Sequence, residues 1–168
     1  MSKLDMLIKD FNKQYKEEIA ARGIPKIETQ KIPFSSPRAN YMTYGGIPRG
    51  RIVEFAGEEN GGKTTTALDI AANAQILFKQ EWEEEIKELE ELEKPKKEQS
   101  TRLEYLKSRG PKHVVYADCE NTLDEEWARL LGVNPDEMIL LKPMSQSAEQ
   151  IFEMLLQMIE TDEVGLVI

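Results

Sequence analysis

Residues Gly57, Glu58, Glu59, Asn60, Gly61, Gly62, Lys63 and Thr64 fit the pattern G-x-x-x-x-G-K-[ST]. The run before them, "RIVEFAG", is β-branched and aromatic and predicts a short buried strand. The run after them, "KTTTALDIAANAQILFKQ", is rich in Ala and Leu and predicts a helix. A strand that enters a glycine turn and leaves as a helix forces the chain into a narrow loop. There the glycines let the backbone wrap an anion with its N–H groups pointing inward. The helix adds the positive end of its dipole. Lys63 supplies a point charge for β- and γ-phosphates, and the Thr64 hydroxyl is placed to reach Mg²⁺. The octapeptide alone occurs by chance; the strand and helix on either side argue for a phosphate-binding loop.

Elsewhere the chain alternates between strand and helix patterns. "HVVYADCE", "EMILLKP" and "VGLVI" predict strands, and the stretches around "LDEEWARLLG" and "SAEQIFEMLLQMIET" predict helices. Strands separated by helices of this length indicate a mostly parallel α/β sheet with crossover helices. Before this core, Leu4, Leu7, Ile8, Phe11, Tyr15 and Ile19 recur at helical spacing, which predicts an amphipathic helix from residue 3 to about 22. Gly23 and Pro25 stop it, and "KIETQKIPFSSPRANYMTYGGIPRG" reads as an irregular connector. Between core segments, "EWEEEIKELEELEKPKKEQSTRLEYLKSRGPK" carries two apolar stripes, Trp82–Ile86–Leu89–Leu92 and Leu103–Leu106, broken at Pro95. It reads as a charged helical hairpin inserted at about residues 80–112, either a solvated pair or a partner-binding arm.

Composition narrows the function classes. The net charge is −9, with 31 acidic against 22 basic residues, which opposes a broad basic nucleic-acid surface. No apolar run approaches the roughly 20 residues a membrane span needs, and no membrane partner is expected. Cys119 is the single cysteine, so no internal disulfide can form and a reducing cytoplasm is the expected location.

A second candidate site is "YADCENTLD". Glu120 follows a predicted parallel strand, and ligands of open α/β sheets bind beyond the carboxyl ends of the strands. A carboxylate there could orient and deprotonate a water attacking a γ-phosphate. Asp118, Asp124 and Glu125 crowd the same loop, so a solvated acidic loop is the competing reading.

Together, "YGGIPRGRIVEFAGEENGGKTTTALDIAANAQ" and "VVYADCENTLDEEWARLLGV" resemble the RecA family of homologous recombinases, and a phage-type member in particular. The resemblance runs from about Pro33 to Ile168 and implies a P-loop ATPase core. It implies that Glu120 activates water, with Lys63 as the other catalytic group. It gives Gly57 to Gly62, Lys63, Thr64 and Thr65 to the phosphates, with Thr64 on the metal. Asp124 would contact the adenine, and Trp127 would stack on it where relatives often place Tyr. ATP and Mg²⁺ are the implied cofactors. Single-stranded DNA is the implied substrate, in recombination, repair and strand exchange, within a bacterial cytoplasm if the gene is phage-encoded. Residues 1–36 would form an oligomerisation segment that docks on the next copy in a filament or ring, and residues 37–168 a partial core.

The family's second nucleotide motif is an apolar strand ending in a metal-positioning Asp, and this chain stops at "VGLVI". On this reading the sheet is incomplete here and the DNA-contacting loops lie elsewhere, which reconciles the acidic charge with a recombinase. A split gene or a truncation both produce such an end, and a complementary C-terminal chain is then an expected partner. The 168 residues alone are expected to be inactive. A hexameric helicase motor, a clock-type ATPase and a non-hydrolysing nucleotide-binding assembly module are the competing readings.

Overall fold

Ser2 caps the first helix: its hydroxyl accepts from the Asp5 amide at 3.2 Å while the Asp5 carboxylate accepts from the Ser2 amide at 2.8 Å. The computed structural model describes residues 2–16, 20–21 and 29–168. Its contacts divide the chain into two units, 1–30 and 31–168. In the first unit, α1 (Lys3–Tyr15) presents Leu4, Leu7, Phe11 and Tyr15, each about half exposed. The helix is shorter than its apolar pattern predicts. Lys16 turns left-handed at φ 56°, and the Asn12 side chain then both donates to the Ala20 carbonyl and accepts from the Ala20 amide. Ile19, Gly23 and Pro25 lie outside the described residues.

The second unit begins with a short antiparallel pair, β1 (Lys31–Ile32) and β2 (Ile47–Pro48), with α2 (Pro37–Met42) between them. Composition predicts an irregular connector over this stretch, and these three short elements order it instead. Pro37 occupies the first turn of α2 behind the Ser36 cap, where a missing N–H costs nothing. Gly46 permits the pairing: a Cβ there would lie 2.0 Å from the Ile32 carbonyl oxygen.

α3 (Lys63–Glu90) runs unbroken from the glycine-rich turn through the core and on into the charged segment. α4 (Lys97–Arg109) folds back along its distal half. The Trp82 indole donates to the Leu106 carbonyl, and the ion pairs Arg102–Glu85 and Lys107–Glu90 lie along the contact.

The main sheet is parallel, in the order β4-β3-β5, with β3 (His113–Ala117), β4 (Met138–Leu141) and β5 (Val164–Val167). Crossovers run through α5 (Glu125–Leu130) and α6 (Ala148–Glu160). Val114 of β3 is sealed against α3, whose Leu68, Ile70, Ala71, Ala74 and Phe78 form the core with Ile32, Phe34 and Met138. The alanines let α3 approach closely. Gly165 in β5 lies where a Cβ would come within 2.5 Å of the Phe78 ring. Truncating a buried aromatic of this kind costs about 3–5 kcal/mol.

The segment 51–57 departs from expectation. It forms no strand; Ile52 is fully exposed, and Val53 and Phe55 are 40% exposed. A buried strand needs a neighbour to take its backbone groups. The described sheet ends at β5, which pairs with β3 alone.

Candidate functional site

α3 fixes the polarity of the site. Its Phe78 packs on Gly165 near the start of β5, and its Ala72 lies near Gly132. From Phe78 back to Lys63 the helix rises about 22 Å at roughly 1.5 Å per residue, longer than the strands it crosses. Its N-terminus therefore lies toward the carboxyl ends of the parallel strands. Asp118 and Glu120 follow directly from the carboxyl end of β3. The two stretches singled out in the sequence thus share one side of the sheet. No hydrogen bond or ion pair joins them among the described residues.

The loop before α3 is built for backbone donors. Asn60 and Gly62 are left-handed, with φ 58° and 82°, and the Gly61 amide closes a turn on the Glu58 carbonyl at 3.2 Å. Gly62 caps α3 with no side chain bonded to its first turn. The leading amides of α3 are therefore left to an external acceptor. The Lys63 ammonium curls back over the loop and donates to the carbonyls of Gly57 at 2.9 Å and Glu58 at 2.8 Å. Thr64, Glu58, Glu59 and Asn60 are exposed, and Thr65 is half-buried. Uncapped amides, a left-handed glycine and a lysine at one helix start fit a phosphate chain. The donor set for a metal is thinner. Among the described residues no group of three or more His, Cys, Asp or Glu side chains is placed to hold an ion. Thr64 would contribute one hard oxygen to Mg²⁺, an ion that keeps several waters and takes phosphate oxygens.

Asp118 shapes the second stretch. It is buried, and its two carboxylate oxygens accept from the amides of Thr122 at 3.2 Å and Leu123 at 3.0 Å. This clamps the turn that carries Glu120. Sequence reasoning gave Asp118 no structural role, although an Asp leaving a strand into a polar turn is a signal for such side-chain-to-backbone closure. The Glu120 side chain is exposed and forms no hydrogen bond or ion pair among the described residues. Burial, followed by the charges of Asp118 and Glu120, pushes the Tyr116 phenol above its ordinary range. Asp124 caps α5, accepting from the Trp127 amide at 3.1 Å, and the Trp127 ring is 44% exposed. One Asp124 oxygen is thus committed to the helix.

Residues 2–80 match the family described as the RecA N-terminal domain. The chain is 32% identical to Protein RecA of Oceanobacillus iheyensis, over 98% of this chain and 38% of that protein. It is 30% identical to Protein RecA of Salinispora tropica, over 92% of this chain and 36% of that protein. With Protein RecA of Deinococcus radiodurans it shares 33% identity, over 85% of this chain and 30% of that protein. The chain therefore spans little more than a third of the length of these relatives. No helix among the described residues is long and apolar enough to cross a membrane. The domain match and the RecA relatives at about 30% identity support the RecA family for this chain.

Proposed function

We propose that this chain is the N-terminal portion of an ATP-dependent DNA recombinase of the RecA family, of phage type, acting in strand exchange on single-stranded DNA in the cytoplasm. The observation that carries the reading is the start of α3, where Gly62 leaves the first-turn amides uncapped beside the Lys63 ammonium. On this reading, residues 57–65 hold the β- and γ-phosphates of ATP. Lys63 exchanges its two loop carbonyls for phosphate oxygens, a charge-assisted and stronger pair of contacts. Bound Mg²⁺ would neutralise charge developing on the phosphates, with the Thr64 hydroxyl as its protein ligand. Glu120, held beyond β3 by the turn that Asp118 closes, orients the attacking water and accepts its proton. Asp124 and Trp127 flank the adenine. α1 with its connector, residues 1–36, docks on a neighbouring copy in a filament or ring, and residues 37–168 form the ATP-binding core. Residues 80–112 are an inserted helical hairpin.

A non-hydrolysing nucleotide-binding module is the second reading. It is favoured by the single protein oxygen that Thr64 offers the metal and by the commitment of Asp118 to its own loop. Phosphate release from Mg·ATP by the 168-residue chain, with and without single-stranded DNA, tests both. The first reading expects ATP binding that Lys63→Ala abolishes, and any turnover to fall in Glu120→Gln. Binding that survives Lys63→Ala, or DNA-stimulated turnover that survives Glu120→Gln, overturns the assignment. Tight binding without turnover by this chain alone fits both readings; turnover that appears on adding a chain with the complementary C-terminal sequence favours the first, and its continued absence favours the module.

A further inference from the structure

The segment 29–53 differs in charge from the rest of a chain whose net charge is −9. It carries Lys31, Arg38, Arg49 and Arg51 and no Asp or Glu. Among the described residues two carboxylates from elsewhere bond to it: Glu81 pairs with Arg49, and Asp69 accepts from the Ser35 amide. The Lys31 and Arg51 side chains donate to backbone carbonyls, and Arg38 is exposed with no ion pair among the described residues.

Aromatic rings are displayed in the same place. Arg38, Tyr41 and Met42 share one face of α2 at helical spacing, and Tyr44 follows in the turn. Tyr41, Met42 and Tyr44 are 85%, 70% and 89% exposed. The turn that presents them is fixed from several sides. The Asn40 side chain accepts from the Phe34 amide and donates to the Phe34 carbonyl. The Thr43 hydroxyl donates to the Ala39 carbonyl and accepts from the Gly46 amide. The Lys31 ammonium donates to the carbonyls of Thr43 at 2.7 Å and Tyr44 at 2.8 Å, which sets a positive charge at the base of the turn. Tyr44 is held left-handed at φ 54°, a conformation a bulky residue keeps only where its surroundings impose it.

The chemistry selects the occupant. A protein hot spot is an aromatic anchor seated in a packed pocket, whereas rings this exposed stand out from the surface. The apolar face of α1 from a second copy would call for an aliphatic groove, and Met42 alone supplies an aliphatic side chain on this face of α2. Single-stranded DNA needs what is present. Its unpaired bases stack on aromatic faces, and its phosphates take cations that no carboxylate already holds. We propose that Arg38, Tyr41 and Tyr44 form an auxiliary contact for single-stranded DNA, with bases on the two tyrosines and a phosphate on Arg38. The choice of DNA rests on the proposed function, but the contact shares no residue with the loop at 57–65 and needs no nucleotide.

The test titrates the 168-residue chain, without nucleotide, into fluorescein-labelled oligothymidylate of about 16 nucleotides, read by anisotropy. Saturable binding is expected, falling with salt at a log–log slope of about −0.7, the value for one phosphate contact on a single strand. Tyr41→Ala and Tyr44→Gly, the latter suited to the left-handed φ, should each weaken binding by about tenfold, and Tyr41→Phe should retain it. Arg38→Gln should flatten the salt slope. Circular dichroism and ATP-analogue affinity should stay unchanged in all of them. Absence of saturable binding overturns the proposal, as does equal affinity for a duplex, whose bases are not free to stack. Unchanged affinity in the double variant Tyr41→Ala/Tyr44→Gly overturns it too; if that variant instead loses self-association in light scattering, the patch belongs to a second copy. The ATP site is read separately, by analogue binding and its loss in Lys63→Ala, so either reading can fail while the other stands.

Discussion

Replacing Asp118 by alanine should destabilise the core by about 2–3 kcal/mol. The carboxylate is 5% exposed and accepts two backbone amides, from Thr122 and Leu123. Hydrogen bonds to a charged group contribute about 1.5–3 kcal/mol each. Thr122 is exposed and Leu123 half-buried, so water replaces part of what is lost, and the lower end of the range applies to each bond. Removing a buried charge also relieves its desolvation, which trims the sum. For a chain of this size, about 2–4 °C of melting temperature per kcal/mol makes the expected drop roughly 5–10 °C. Asp118→Asn keeps one acceptor oxygen and should lose about half as much. Urea unfolding followed by far-ultraviolet circular dichroism reads the difference, and hydrogen exchange at Thr122 and Leu123 localises it. A change within about 0.5 kcal/mol, the range of a neutral surface substitution, would show that the turn holds without its clamp.

Three further outcomes follow from the same geometry. In any preparation with measurable turnover, Glu120→Gln should leave ATP-analogue binding intact and slow phosphate release by about 10²-fold or more, as expected for loss of a general base; undiminished release would move catalysis to another carboxylate. Deleting residues 1–30 should leave the urea midpoint of the remainder unchanged, because residues 31–168 form a compact unit by themselves, while light scattering should show less self-association. Unfolding on deletion would assign α1 to the protomer's own core. The Lys112–Asp162 pair, 2.7 Å apart, holds the Asp162 carboxyl below its ordinary range. Its stabilisation is present above the unfolded carboxyl value, about 4, and is lost as pH falls through the lower folded value. Asp162 is 58% exposed, so the effect is at most about 1 kcal/mol. Asp162→Asn should flatten the acid limb of a stability–pH curve by that amount, and an unchanged limb would contradict the pairing.

Features governed by local rules were legible. The strands of "HVVYA" and "MILL" and the helix of "AEQIFEMLLQMIE" appear where periodicity placed them, and Gly132 ends the α5 turn at φ 92°. What escaped was decided by neighbours. The pattern of α1 carries on to Ile19, but the left-handed Lys16 and the Asn12–Ala20 bonds end the helix first. "RIVEF" has strand composition, yet pairing needs a second strand, and none lies beside it among the described residues. In the site, the glycine pattern announced the loop before α3. The capping duty of Asp124 and the clamp formed by Asp118 depend on backbone amides three to five residues on, which residue type alone does not fix.

The central claim, that the start of α3 holds the β- and γ-phosphates of a nucleotide, is tested most directly by competition. A fluorescent ATP analogue bound to the 168-residue chain is displaced in turn by ATP, ADP, pyrophosphate, AMP and adenosine, and the series is repeated with Lys63→Ala. The account predicts displacement by ATP, ADP and pyrophosphate, weak or no displacement by AMP and adenosine, and loss of analogue binding in the variant. Displacement by adenosine as effective as that by ATP, or full affinity in Lys63→Ala, would contradict it.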